Sequence, residues 1–409
     1  MAAVITFGIR LRQLFLTTIF TFIVSVFTTA QNGTILYNFT GATDGSLPKA
    51  RLLAAPDSRL IGTTTQGGAN GFGEVFELAS GAMGDYTLTV LHSFEGGADG
   101  ASPASGVIRD RIGNLYGTVS QGGADGQGAV YELVRGLGNT FTNQILYSFT
   151  GADDGAQPVG GLVFDDAGNL YGTTPTGGTN GLGVVYQLSP DGQGGWTQTV
   201  LHSFGSTPND GQSPGGSLHF DSDGNLYGLT VEGGSFNQGT VFQLQPNGNG
   251  GWSGSIIYNF KGGTDGAHPV TSDLIQVDNF FYGTTTDGGA AGLGTVFELM
   301  NVVGVWIEKV LYSFPGDANG ANPYAGLVYD TDAGSFYGTT SAGLLDSGGI
   351  VFKLLKLDNV WTENVLYTFD NAGNGSFAGL VQDVDGNLYG TTEFGGPQSA
   401  GNVFKVSPF

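Results

Sequence analysis

The sequence predicts an all-β protein, a seven-bladed β-propeller whose blades each contain four antiparallel strands. Three observations predict it: a sevenfold repeat, turn residues that divide each repeat into four short strands, and an extra strand at the N-terminus. Such a repeat indicates an array of identical units, none of which can bury its faces alone. Its central residue recurs every 52–56 residues, at Ile61, Tyr116, Tyr171, Tyr227, Tyr282, Tyr337 and Tyr389.

The third repeat shows the four strands most clearly. Apolar runs at residues 161–165, 170–174, 184–188 and 196–204 are separated by Gly, Asn and Asp. Short runs with such boundaries are typical of all-β folds, and four per repeat match a propeller blade. We name the strands A to D from the central channel outward. Strand A is expected to begin near Arg51, Gly106, Gly161, Ser217, Asp273, Gly326 and Gly379.

The two ends of the repeat region predict how the ring closes. A copy of strand D stands alone at residues 35–39, whereas the last repeat ends after strand C at residues 402–406. The N-terminal strand D is therefore expected to complete the blade that the C-terminal strands A to C begin. This pairing covers two strand edges that would otherwise favour aggregation.

The N-terminus has the pattern of a secretory signal peptide over residues 1–30. Arg10 and Arg12 precede an apolar stretch at residues 14–27, and small residues precede Gln31. The stretch is short for a transmembrane helix, although an uncleaved anchor is the alternative. We therefore expect a secreted or periplasmic protein. Its propeller domain would occupy residues 31–409, with no membrane span after cleavage.

The composition excludes several classes of function. The chain has no Cys, which excludes thiol catalysis and disulfide bonds. It has 13 basic and 35 acidic residues, and its net charge is −22. Nucleic acid and anionic lipid are disfavoured as partners, because both need basic patches. The charge suits cation binding, and a solvated acidic surface accounts for it as well.

The D–A and B–C loops share one face of a propeller, and we call it the patterned face because its polar residues recur. An Asp or Asn precedes Gly in each D–A loop, and we expect these side chains around the channel mouth. Carboxylates in Gly-rich loops are ligands for hard cations, so calcium is the candidate at Asp99, Asp154 and Asp265. The alternative is ordinary turn structure. The set comprises Asp44, Asp99, Asp154, Asp210, Asp265, Asn319 and Asn374.

Two A–B turns, at residues 221–225 and 383–387, resemble the start of a calcium-binding loop. Both lack the Glu that such a loop carries at its twelfth position. We therefore expect two-residue Gly-Asn hairpin turns instead.

Two further residues are candidates for a ligand-binding face. His268 lies in a patterned-face loop before Pro269, without an evident partner, and Arg109 lies in strand A of the second repeat. The two strand-D histidines, His92 and His202, replace a recurring Tyr, which favours a structural role. The aromatic residues that open strand D could stack on sugars, but packing between blades is the favoured interpretation.

These motifs resemble the Gloeo/Verruco (GloVer) repeat family. The resemblance rests on residues 168–174, on Gly177-Gly178 and on residues 185–188, and it extends over roughly residues 34–406. It implies an exported bacterial protein. Members often carry C-terminal anchors, and none is visible here. The resemblance implies no activity, no cofactor and no catalytic residues.

The sequence predicts a non-catalytic role, namely recognition or scaffolding by a monomer outside the cytoplasm. The expected partner is an extracellular polysaccharide or protein. No motif of an enzymatic propeller is recognisable, and no cofactor other than a calcium ion is indicated. The alternative is a polysaccharide hydrolase or lyase on the patterned face, with His268, Arg109 and Asp265 as its residues.

Overall fold

The computed structural model describes residues 33–55, 58–81, 84–270, 272–343, 348–369 and 375–408. The expected signal peptide and Asn374 lie outside these residues. The described chain forms seven four-stranded antiparallel sheets, one for each repeat. The predicted seven-bladed propeller is therefore confirmed.

The blades follow the chain in order, each as strands A, B, C and D. Blade 1 has Leu53–Ala55, Arg59–Thr64, Glu74–Ser80 and Tyr86–Ser93; blade 2 has Ile108–Arg109, Leu115–Val119, Ala129–Arg135 and Phe141–Ser148. Blade 3 has Val163–Phe164, Leu170–Thr174, Val184–Pro190 and Trp196–Ser203; blade 4 has Gly211–Phe220, Leu226–Gly233, Thr240–Pro246 and Trp252–Asn259.

The remaining blades are built alike. Blade 5 has Ile275–Val277, Phe280–Thr285, Thr295–Val302 and Val305–Ser313; blade 6 has Val328–Asp330, Ser335–Thr339, Ile350–Leu357 and Val360–Thr368. Blade 7 has Val381–Gln382, Leu388–Thr392, Asn402–Val406 and Gly33–Asn38. Smaller elements are the ribbon of Gly266–Ala267 with Asp287–Gly288, and the short 3₁₀ helices Gly97–Asp99 and Leu137–Asn139. No helix within the described ranges is long and apolar enough to cross a membrane.

The ring closes through the pairing that the sequence predicts. The N-terminal strand D of blade 7 pairs antiparallel with the C-terminal strand C, so that Gly33 lies opposite Val406 and Thr34 opposite Lys405. Both ends of the described chain are therefore held in one sheet.

The recurring Tyr-Gly-Thr-Thr of strand B follows from packing inside a blade. All five residues of Leu170–Thr174 are buried. A Cβ atom added at Gly172 would lie 2.5 Å from the hydroxyl of Tyr186 on the adjacent strand C. Glycine is required there because the large aromatic ring of strand C occupies the space of a side chain.

The Pro of the patterned face belongs to a joint between neighbouring blades. The residue before this Pro has φ of 51–57° in six D–A loops. In blade 3 this residue is Gln157, whose N–H donates to the carbonyl of Gln127 in the preceding B–C loop at 2.7 Å. Pro158 then packs on Gly128 of that same loop. The six residues are Leu47, Ser102, Gln157, Ser213, His268 and Asn322.

The aromatic residues that open strand D also join blades, as predicted. Trp252 of blade 4 packs edge-on against Tyr171 of blade 3, with ring centroids 6.1 Å apart. Trp306 of blade 5 packs in the same way on Tyr227 of blade 4, at 6.2 Å.

The A–B turns differ from the prediction in length. Asp221 Oδ1 accepts the N–H groups of Asp223 and Asn225, each at 2.9 Å, and the Asp221 N–H donates to the carbonyl of Asn225. The loop between these paired residues therefore has three residues, with Gly224 at φ 79°. The predicted two-residue hairpin is wrong because the Asp side chain organises a wider turn.

Candidate functional site

The Asp side chains of the D–A loops accept hydrogen bonds from the preceding strand D and from the start of their own loop. Asp154 Oδ2 accepts hydrogen bonds from the hydroxyl of Tyr147 on strand D at 2.9 Å and from the N–H of Thr150 at 2.8 Å. Asp44 accepts the same pair of bonds from Tyr37 and Thr40, at 3.0 and 2.9 Å. Asp265 does so from Tyr258 and Lys261, at 2.8 and 3.1 Å.

Histidine replaces the Tyr donor in two blades. His92 Nε2 lies 3.1 Å from Asp99 Oδ2, and His202 Nε2 lies 3.2 Å from Asp210 Oδ2. Asn143, from the next blade, also donates to Asp99 Oδ1 at 2.8 Å. These contacts support the structural role expected of both histidines.

The sixth loop carries Asn in place of Asp. The Asn319 N–H donates to Asp317 Oδ1 at 2.9 Å, and its side chain interacts with the Tyr312 hydroxyl on strand D. Asn374, the seventh member of the set, lies outside the described residues.

We expected this set around the channel mouth, but the structure places it elsewhere. The six described members face strand D, the outermost strand, and none of them lines the central cavity. The groups that contact Asp44, Asp154 and Asp210 are N–H and O–H donors, whereas calcium takes oxygen ligands. Asp265 has the same kind of donors and, in addition, the Glu308 carboxyl beside it. Within the described part of the chain, no group of three acidic or His side chains is placed to hold a metal ion. A ligand or calcium role at these positions stays a prediction.

The Tyr partners remain protonated donors. Burial, and then the hydrogen bond to the Asp154 carboxylate, raise the pKa of Tyr147. The same two causes raise the pKa of Tyr37, to about 12. Each hydroxyl therefore stays a neutral hydrogen-bond donor to its carboxylate at neutral pH.

His268 has a partner that the sequence did not reveal. Its Nδ1 lies 3.0 Å from Oδ2 of Asp287 in the B–C loop of the same blade. A shallow hollow of about 430 Å³ next to this pair is lined by Asp287, Gly262 and Gly289. Asp287 occupies a position where blades 1 to 3 carry Gln66, Gln121 and Thr176, and this departure is the signal that identifies it.

Arg109 lies far from the other two residues of the enzymatic alternative. It ends strand A of blade 2, and with Arg135 and Glu77 it lines a small hollow between blades 1 and 2. That hollow lies at the A–B and C–D loops, on the face opposite the patterned face. The structure therefore does not bring Arg109 together with His268 and Asp265.

A second cavity, also of about 430 Å³, lies at the centre of the ring. Its wall is built from the segments that lead into strand A, and all seven blades contribute. In six blades, strand A begins to pair with strand B only after these wall residues. The wall includes the seven residues predicted to begin strand A, namely Arg51, Gly106, Gly161, Ser217, Asp273, Gly326 and Gly379.

The aromatic side chains and the two cations of this wall lie on one side of it. Blades 6, 7 and 1 are consecutive in the ring, and they contribute Tyr324, Phe377, Lys49 and Arg51. Tyr324 and Phe377 pack edge to face, with centroids 4.9 Å apart. Blades 2 to 4 contribute small residues at the matching positions, which are Ala104, Gly106, Val159, Gly161, Gly216 and Ser217.

The two cations of this wall are exposed and available. Neither Lys49 nor Arg51 forms an ion pair or hydrogen bond with any other residue that the structure describes. The stem of Arg51 runs along Gly379, where an added Cβ would lie 3.5 Å from its Cδ. On the far side, Asp273 Oδ1 accepts the N–H of Ser217 at 2.6 Å.

The predicted site did not include these wall residues, because it consisted of residues that recur from blade to blade. The signal that identifies them in the sequence is a departure from the repeat. The residue after the loop Pro is small or aliphatic in blades 2 to 5, whereas it is Lys49 in blade 1 and Tyr324 in blade 6.

Comparison with known families identifies the chain. The model of the Gloeobacter/Verrucomicrobia repeat matches residues 18–142, 113–253 and 221–409. The chain belongs to the Gloeobacter/Verrucomicrobia repeat family. The GloVer resemblance is therefore confirmed over the whole propeller.

Solved structures similar to this GloVer propeller confirm the fold alone. One is an extracellular domain described as part of a hybrid two-component system of B. thetaiotaomicron, with 12% identity and a TM-score of 0.56. Another is a Mycobacterium tuberculosis puromycin-hydrolyzing peptidase, with 13% identity and a TM-score of 0.55. The matches cover 91% and 92% of this chain, but only 39% and 54% of the two structures. No curated protein matches the chain in sequence.

Proposed function

We propose that this GloVer propeller is a non-catalytic binding module that acts outside the cytoplasm as a monomer. It takes an extracellular ligand, a polysaccharide or a protein side chain, in the central cavity. The observation that carries the proposal is the asymmetric wall of that cavity. The wall is built from the equivalent segment of each of the seven blades, yet the residues that line the cavity differ from blade to blade.

The size of the cavity suits a small ligand group. A volume of about 430 Å³ falls within the range of roughly 300–1,000 Å³ that is typical of ligand pockets. The wall combines apolar aromatic rings with a few polar groups, which is also typical of such pockets. A polysaccharide would therefore insert one chain end, or a single sugar unit, into the cavity.

The joints of the patterned face make the cavity rigid before a ligand arrives. The Gln157 N–H bond to Gln127 and the His268 N–H bond to Gln238, at 2.7 and 2.9 Å, fix the D–A loops that lead into the wall. A preformed site loses less conformational entropy on binding than a mobile one. This rigidity supports binding by a fixed surface.

The extracellular location rests on the N-terminal pattern of residues 1–30. It agrees with the extracellular domain among the similar structures. Sequencing the N-terminus of the exported protein tests it, because cleavage is expected before Gln31.

The enzymatic alternative would use the His268–Asp287 pair. Neither His268 nor Asp287 lines the central cavity, so the part of a ligand held there does not contact either residue. Assays for new reducing ends and for unsaturated products, with each bound polysaccharide, test this directly. Product formation that depends on His268 would overturn the non-catalytic assignment.

The experiment is a binding screen with protein produced from the full chain. Wild type is compared on polysaccharide and glycan arrays with Ala104→Trp, which fills the cavity from its small-residue side. The control is Ala124→Trp, which adds the same side chain at an exposed B–C loop. We expect Ala104→Trp to abolish the array signals and Ala124→Trp to preserve them. Signals that survive Ala104→Trp would contradict the proposal.

A further inference from the structure

We propose that the ligand of the central cavity is a sugar that carries a carboxylate, a hexuronic acid unit of an acidic polysaccharide. Lys49 and Arg51 bind its carboxylate, and Tyr324 and Phe377 pack against its ring. This inference rests on the proposed function, because it names the ligand of the same cavity.

The cations point to a carboxylate. The chain has only 13 Lys and Arg residues against 35 Asp and Glu, yet two of them stand two residues apart on this wall. Neither is paired with another described residue. An Arg guanidinium fits a carboxylate with two parallel hydrogen bonds, and unpaired cations in a concave site attract anions.

The aromatic pair points to a ring with an apolar face. Tyr324 and Phe377 are half-buried, and their rings meet at 71°, so they form two sides of a corner. A sugar ring presents C–H groups on its faces and hydroxyls at its edge. Such a ring can bury its C–H groups in the corner and keep its polar atoms towards the cations and the cavity.

The acids of the wall limit the ligand to few negative charges. Asp273 lies on blade 5, across the ring from blade 1, and Glu393 lies in the B–C loop of blade 7. A carboxylate accepts hydrogen bonds from sugar hydroxyls and repels a second anion nearby. The wall therefore favours one carboxylate with several hydroxyls over a densely charged, sulfated ligand.

The test is calorimetric titration of protein produced from the full chain. The probes are galacturonic acid, its trimer, polygalacturonate, and the matching neutral galactose trimer. We expect the acidic trimer to bind at least tenfold more tightly than the neutral one. The double variant Lys49→Gln/Arg51→Gln should lose about 10- to 100-fold in affinity for the acidic trimer, as expected for lost charged hydrogen bonds. Arg111→Gln, which removes one positive charge from an exposed residue outside the wall, should leave it unchanged.

A second measurement does not depend on how the variants fold. The affinity of wild type for the acidic trimer should fall as sodium chloride rises from 20 to 300 mM, because salt screens exposed charges. The affinity for the monomer compared with the polymer shows whether a free uronic acid or a polysaccharide is preferred.

Two outcomes overturn the inference, and they are distinguishable from failure of the proposed function. Equal affinity for acidic and neutral trimers, lost in Ala104→Trp, would show a cavity that binds sugars without the anion contact. Absence of binding to every uronic acid probe would exclude this ligand class. The array signals and their sensitivity to Ala104→Trp would then decide the proposed function alone.

Discussion

The hydroxyl of Tyr147 donates a 2.9 Å hydrogen bond to Oδ2 of Asp154, seven residues further along the chain. This bond ties the D–A loop to the outer strand of the blade it has just left. Tyr37 with Asp44 and Tyr258 with Asp265 repeat it. The recurring carboxylates are therefore parts of the framework, and the proposed ligand site is the central wall.

The bond predicts that Asp154 contributes to stability. Asp154→Ala leaves the Tyr147 hydroxyl and the Thr150 N–H without their acceptor, which should lower the free energy of unfolding by about 1–3 kcal/mol. Urea denaturation followed by tryptophan fluorescence measures this. Asp125→Ala, at an exposed position of a B–C loop, is the control and should change stability little. Equal stability of the two variants would contradict the structural role of Asp154.

The donor-rich surroundings of the same carboxylates predict no calcium effect. Ligands that bind the native state raise its apparent stability. The Tm should therefore be the same in EDTA and in millimolar calcium. A clear rise with calcium, lost when Asp99, Asp154 and Asp265 are changed to Asn, would instead establish the cation site that the sequence allows.

The interblade joint predicts unequal effects of two neighbouring glycines. A Cβ at Gly128 would lie 2.6 Å from both Pro158 Cδ and the Val119 carbonyl, whereas Gly126 has open space around it. Both have positive φ, at 92° and 75°. Gly126→Ala should cost about 1 kcal/mol of stability from backbone strain alone, and Gly128→Ala about 2 kcal/mol more. Equal losses in urea denaturation would argue against the joint.

Glu74 predicts a pH dependence of stability. It is completely buried at the start of strand C, and desolvation raises its pKa to about 7 from 4.5. Because the folded state holds this proton more tightly than the unfolded chain, its stabilisation is full below about pH 4.5 and is lost as the pH rises to about 7.

Glu74→Gln should therefore match wild type near pH 4.5 and exceed it at pH 8, by on the order of 3 kcal/mol. Urea denaturation across that pH range measures the difference. Glu95→Gln, at an exposed position, should run parallel to wild type throughout. A Glu74→Gln curve that also runs parallel to wild type would contradict the burial of a titrating carboxyl.

The fold could be predicted from the sequence because its determinants recur. The Gly172 position beside Tyr186 and the Pro158 position beside Gly128 return in nearly every blade, and the strand count fixes the closure between Gly33–Asn38 and Asn402–Val406. In six blades, strand A pairing begins two residues after the predicted position, because the preceding residues line the cavity before they pair with strand B. In blade 4 the pairing begins earlier, at Gly211.

The site could be predicted only in part. The Asp154 carboxylate points towards strand D because it accepts the hydrogen bond of Tyr147. The sequence alone does not predict this pair, because the D–A loop must fold back on strand D to form it. The enzymatic alternative combined Arg109 with His268, but Arg109 lies at the end of strand A on the opposite face of the propeller. Lys49 and Tyr324 depart from the repeat, so they do not belong to the recurring pattern that predicts the rest of the structure.

The most direct test compares a cavity variant with a variant of the Asp set, using one ligand from the array screen. Calorimetry would measure its affinity for wild type, Ala104→Trp and Asp154→Asn, with each protein confirmed folded by circular dichroism. We expect Ala104→Trp to remove binding and Asp154→Asn to keep the affinity within twofold of wild type. Binding that survives Ala104→Trp but is lost in Asp154→Asn would place the site in the D–A loops and contradict a ligand site in the central cavity.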